Sequence, residues 1–128
     1  MAPRDPPREH VLRVVYDGPD LDEIARAASL SVDDVIARHL AATYTVDTMG
    51  FAPGFASLDG LDEALELPRR ATPRPRVPAG SVGIVGRQTA IYPFDSPGGW
   101  HLVGHVVVRM VDERGPLLAL GDRVRFTR

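Results

Sequence analysis

Proline and glycine interrupt this chain too often for long helices to dominate it. Twelve of each fall among 128 residues, and every proline fixes its own φ and turns its predecessor away from helix. The effect is most concentrated in "LPRRATPRPRVPAG" (67–80), where Pro68, Pro73, Pro75 and Pro78 hold the backbone extended. Many short elements joined by turns are expected in place of a helix bundle. "HVLRVVY" (10–16) and "TYTVDTM" (43–49) read as strands, as do "SVGIVG", "TAIYP", "WHLVGHVVVRMV" and "DRVRF" further on. All are apolar and β-branched between turn signals. "GFAPGFASLDGLDEALELP" (50–68) has loop punctuation around Phe51 and Phe55, with one helical turn expected near 62–65. Residues 1–9, rich in proline and charge, read as a flexible arm, and 10–128 as one domain, mostly β.

Two short helices interrupt this pattern. Asp20 is the expected N-cap of the first, with Glu23 three residues on, and Leu21, Ile24, Ala25 and Ala28 form its apolar stripe. Ser31 caps the second, whose stripe is Val32, Val35, Ile36, His39 and Leu40. The pair is similar to a helix-turn-helix. Asp33 and Asp34, however, occupy the part of the second helix that would face phosphates, so two helices packed on a sheet are expected. His39, on an apolar stripe, reads as a satisfied core residue.

Composition removes several kinds of chemistry. The net charge of −2 argues against general binding to nucleic acid or acidic membranes. There is no cysteine, hence no disulfide, thiol nucleophile or thiolate metal site. All fifteen basic side chains are arginine, so no lysine can act as a base or form a Schiff base. Neither a signal-peptide core nor a long apolar run occurs, which points to the cytoplasm. "PAGSVGIVG" lacks the lysine and the spacing of a phosphate-binding loop, so no ATP site is expected on this chain alone.

Four segments carry candidate chemistry. Arg69, Arg70, Arg74 and Arg76 lie on the stiff 67–80 run. They are suited either to gripping a carboxylate or to pairing with Asp59, Asp62, Glu63 and Glu66 upstream. "GFAPGF" presents Phe51, Pro53 and Phe55 as an apolar wall, and "GRQTAIYP" adds Gln88, Thr89 and Tyr92 as neutral hydrogen-bonding groups. "SPGGWHLVGH" holds the only tryptophan, Trp100, behind two glycines. His101 and His105, four apart on one strand, are expected on the same face and are the acid/base candidates. No metal site can be assembled from them.

Taken in order, "LDEIA", "GFAPGF", "GLDEALELPRRATPRPRVPAGSVGI", "QTAIYPFDSPGGWHLVG" and "GDRVRF" resemble the carboxyltransferase-type, cyclophilin-like domain of the 5-oxoprolinase B-subunit family. That family includes the KipI kinase inhibitor and proteins called allophanate hydrolase subunit 1. The resemblance spans about residues 10–126. The sequence lacks the N-terminal domain that usually precedes this region in the family. The resemblance implies a cyclophilin-like β-barrel with two short helices near the N-terminus and an apolar pocket. It implies ATP-dependent hydrolysis of a small lactam, with ATP used by A- and C-like partner subunits and no cofactor held by this chain. Arg69 and Arg70 would hold the substrate carboxylate, Gln88 and Tyr92 its amide, and Phe51, Pro53, Phe55 and Trp100 the walls. Ala56 and Ser57 stand where the family usually has a proline and an aromatic, which opens one side of that pocket. Two other readings stay open. One is a stand-alone barrel enzyme using His101 or His105 on another small substrate. The other is a KipI-like module inhibiting a histidine kinase. Homo-oligomerisation is compatible with each.

Overall fold

The computed structural model describes residues 6–50 and 53–128. After β1 (Glu9–Val15) come α1 (Leu21–Ala28) and α2 (Val32–Ala41), then β2 (Tyr44–Met49) and β3 (Ala56–Asp59). A 3-10 turn at Glu63–Leu65 leads to β4 (Arg74–Val77), β5 (Ser81–Val85), β6 (Gln88–Ile91) and β7 (Ser96–Gly98). β8 (His101–Val106), the two-residue strands β9 (Val111–Asp112) and β10 (Gly115–Pro116), and β11 (Arg123–Thr127) complete the order. Seven of these strands close into a barrel, β1-β11-β2-β3-β6-β5-β8, with β8 returning to β1. Closure leaves none of these seven strands at an open sheet edge. It is completed by parallel pairing of β1 with β11, which sets the first and last strands side by side. A mostly β barrel with two helices near the N-terminus is thus the fold expected from sequence. Residues 1–5 of the expected arm lie outside the described residues. From Arg8 onward the chain is held, since the Arg8 N–H donates to Asp122 Oδ1 at 3.0 Å.

The helices pack as their stripes require. Leu21, Ile24 and Ala25 are buried on α1, and Val35, Ile36 and His39 on α2. Ser31 Oγ accepts the Asp34 N–H at 3.0 Å, so the second cap forms as expected. His39 is fully buried and stacks on Phe126 with ring centres 4.9 Å apart. The Thr89 hydroxyl donates to the Gly83 carbonyl at 2.8 Å and is left to accept from His39 Nε2 at 3.0 Å. His39 Nδ1 therefore accepts from the Tyr16 hydroxyl at 2.7 Å. Burial disfavours the charged imidazolium and pushes the His39 pKa down to about 3.

Two strand expectations change. Residues 56–59, to which sequence alone assigns no strand, form β3 between β2 and β6. Tertiary pairing overrides local preference there. The strand read through 100–111 stops at Val106, where its pairing with β1 and β5 ends. Val107 and Val108 beyond it are 62% and 40% exposed.

Strand alternation builds two apolar layers. Ile84 and Ile91 point into the barrel with Tyr44, Leu58 and Val124. Ala90 and Leu102, both paired with Gly83, face outward and join Phe55, Val77, Tyr92 and Trp100 in a second cluster. The hairpin-like sheet of β4 and β7 covers this outer layer. Gly83 makes the layer possible, because a Cβ there would lie 2.6 Å from Trp100 Cβ.

Candidate functional site

A cavity of about 470 Å³ opens between the outer face of the barrel and the β4–β7 sheet. Phe55, Tyr92 and Trp100 supply its apolar walls. Phe55 meets Tyr92 edge-on at 5.2 Å and Trp100 at 6.1 Å between ring centres. Gly98, Gly99, Pro73 and Pro97 line the covering side. Gly98 has to be glycine for the cover to close, since a Cβ would lie 2.0 Å from the Tyr92 hydroxyl oxygen. That hydroxyl is buried beneath Gly98. Burial raises its pKa, against the Trp100 N–H and the charges of Arg69 and Arg74. What Tyr92 gives the cavity is its ring.

Polar groups enter from one side and a cation from the other. Thr48, Ser57 and Gln88 reach the cavity from β2, β3 and β6. Phe55 and Ser57 are two residues apart and share the outward face, while Ala56 and Leu58 fill the barrel. The Gln88 amide nitrogen lies 2.9 Å from each oxygen of Asp47. Arg69 sets its guanidinium carbon 5.7 Å from the Trp100 ring centre, a cation–π arrangement in which Arg69 also lines the cavity.

The other arginines of the 67–80 run serve neither expected purpose. Arg70 donates from Nη1 to Asp20 Oδ1 at 2.7 Å and lies 3.5 Å from Glu23 Oε2. Arg74 reaches both Asp20 oxygens at 2.7 Å, and Arg76 pairs with Asp95. Asp62 takes Arg38 instead, at 3.2 Å. Successive side chains on an extended run point to opposite sides, which sends Arg69 to the cavity and Arg70 away from it. Asp20 was expected to cap α1; it stands at the cap position without making that bond. Its carboxylate, 3% exposed as a residue, also accepts the Leu102 N–H at 2.7 Å. Burial alone would raise its pKa. The hydrogen bonds from Arg74 and Leu102 and the charges of both arginines outweigh burial and hold it below the usual carboxylate range.

The two histidines do not share a face. Val82 pairs with Gly104 and Gly83 with Leu102, so Val103 is an extra residue in β8. Such a bulge reverses the alternation beyond it. His101 donates from Nε2 to the Pro68 carbonyl at 2.8 Å, beside a separate cavity of about 450 Å³ near α1. His105 meets Asp17 at 3.0 Å near the surface. Neither lines the cavity beside Trp100. Pro53 is exposed and also off the cavity, and Phe51 lies outside the described residues. Of the expected site residues, the fold gathers Phe55, Arg69, Gln88, Tyr92 and Trp100. Among the described residues no group of three His, Asp or Glu could hold a metal ion, and no helix is long and apolar enough to cross a membrane.

A family model described as "Carboxyltransferase domain, subdomain C and D" matches residues 1–119. The chain belongs to this family. It is 46% identical over 114 residues to the B subunit of 5-oxoprolinase from Bacillus subtilis (strain 168), covering 87% of this chain and 48% of that one. It is 48% identical over 119 residues to the B subunit of 5-oxoprolinase from Haemophilus influenzae, covering 88% and 56%. The crystal structure of a conserved uncharacterized protein, PH0987 from Pyrococcus horikoshii, superposes with a TM-score of 0.89 at 42% identity, covering 94% of this chain and 58% of that one. This carboxyltransferase-family chain thus spans about half the length of the curated relatives it matches.

Proposed function

We propose that this chain carries the substrate pocket of a protein like the 5-oxoprolinase B subunit, and that the cavity beside Trp100 binds a small carboxylate-bearing lactam such as 5-oxoproline. The observation that carries the reading is Arg69, a cation held over Trp100 at the edge of an apolar cavity of about 470 Å³. The lactam ring would lie against Phe55, Tyr92 and Trp100, with its carboxylate toward the guanidinium. Ser57, Thr48 and Gln88 are near at hand for the amide. The names of the two bacterial relatives support the substrate class.

The chain's share of the reaction is binding and orientation. His101 and His105 lie away from the cavity, and the Tyr92 hydroxyl is sealed. ATP-dependent activation of the lactam is assigned in this reading to A- and C-like partner subunits. Trp100 is the only tryptophan, so its fluorescence reports binding directly. Titration with 5-oxoproline should shift that emission, and Arg69→Ala should weaken binding by roughly 10- to 100-fold, the size of a hydrogen bond to a charged group. Unchanged affinity in that variant would remove the carboxylate role.

A further inference from the structure

Asp47 occupies an unusual place in the barrel. Val46 pairs with Leu58 and Thr48 with Ser57, so Asp47 is the extra residue of a bulge in β2, one position before cavity-lining Thr48. Bulges re-aim side chains and are common beside functional sites. Here the bulged side chain reaches past β3 to Gln88 on β6, where both carboxylate oxygens lie 2.9 Å from Nε2. A carboxylate can only accept hydrogen bonds. It therefore pairs with the NH₂ end of the Gln88 carboxamide and never with the oxygen end. Asp47 itself is not part of the cavity lining, whereas Gln88 is.

We infer that Asp47 is a specificity-determining residue: by holding the Gln88 NH₂, it leaves Gln88 Oε1 as the polar atom offered to the ligand, so the site selects a group that donates N–H. An unrestrained glutamine would read a donor or an acceptor equally well by rotating its amide. With its nitrogen engaged by Asp47, the pinned one favours a donor and keeps at most its second N–H for an acceptor. A ring N–H finds a partner there, while a ring oxygen of the same shape meets an unpaired lone pair. The inference rests on the lactam reading of the same cavity and adds how that cavity tells a lactam from a lactone.

The test compares 5-oxoproline with its ring-oxygen analogue, the five-membered lactone carboxylate, on the full chain and on Asp47→Asn. The variant keeps side-chain size but can donate as well as accept, which frees the Gln88 amide to turn. Wild type should prefer the lactam by about tenfold, the size of one lost hydrogen bond, and Asp47→Asn should reduce that preference to about threefold or less. A preference fully retained in the variant, or absent in wild type, overturns the inference. If wild type binds neither compound, the lactam reading fails by itself, and the amide orientation is judged by NMR of the free protein. The Gln88 side-chain NH₂ protons should then move upfield on Asp47→Asn, as a charged acceptor is lost; unmoved resonances overturn the inference in that case too.

Discussion

Replacing Asp20 with asparagine keeps the shape of the side chain and removes the negative charge that Arg70 and Arg74 share. In the folded protein that carboxylate accepts four hydrogen bonds of 2.7 Å, three from the two guanidinium groups and one from the Leu102 N–H. It joins the start of α1 to β8 and to the 67–80 run that carries Arg69. Removing one partner of a fully buried ion pair costs about 3–5 kcal/mol. The arginine side chains are 24% exposed against 4% for Asp20, so part of that loss is recovered when they turn to water. A cost of about 2–3 kcal/mol is expected for Asp20→Asn, and about 3–4 kcal/mol for Asp20→Ala, which also strips the acceptor from a buried backbone N–H. Urea unfolding with an unchanged m-value is the assay. A double-mutant cycle with Arg74→Leu should show coupling of more than about 1 kcal/mol, since the two groups bond directly. Loss of less than about 0.5 kcal/mol in Asp20→Asn, or additivity in the cycle, would refute the view that this carboxylate ties the 67–80 run to the barrel.

Gly98→Ala places a Cβ 2.0 Å from the Tyr92 hydroxyl oxygen, so overpacking should lower stability by about 1–3 kcal/mol and shift Trp100 emission as the cover lifts; an unaltered melt and spectrum would contradict the packing. His39 has its pKa lowered from 6.5 to about 3 by burial. The unfolded state then binds the extra proton first, so stability is full above pH 6.5 and falls as the pH drops toward 3, by about 2 kcal/mol at pH 5. Denaturant midpoints at pH 7 and pH 5 should show that fall in wild type and not in His39→Gln.

Much of the scaffold was legible in local sequence. The stripes of α1 and α2, the Ser31 cap and most barrel strands follow from period and turn chemistry, which depend on neighbours a few residues away. The ordered motifs pointed to the family, and the apolar and glycine content around Phe55 and Trp100 pointed to the cavity wall. The partners of charged groups were not legible. Asp20 looked like a cap because that is its local option, yet its carboxylate goes to residues 50, 54 and 82 positions away. Arg69 and Arg70 looked equivalent until the extended 67–80 run sent them to opposite sides.

The histidines and Asp47 make the same point about register. His101 and His105 share a face on an ideal strand, and Asp47 would be one more residue of alternating β2. One inserted residue at Val103 and one at Asp47 change both outcomes. A bulge is set by how two distant strands must meet to close the barrel, and no short stretch of either strand encodes it. Sequence by itself determined the two helices, most of the barrel strands and which residues are apolar enough to wall a cavity. The closed barrel alone decided which polar side chains reach that cavity, because a single residue of slip turns a side chain from one face of a sheet to the other.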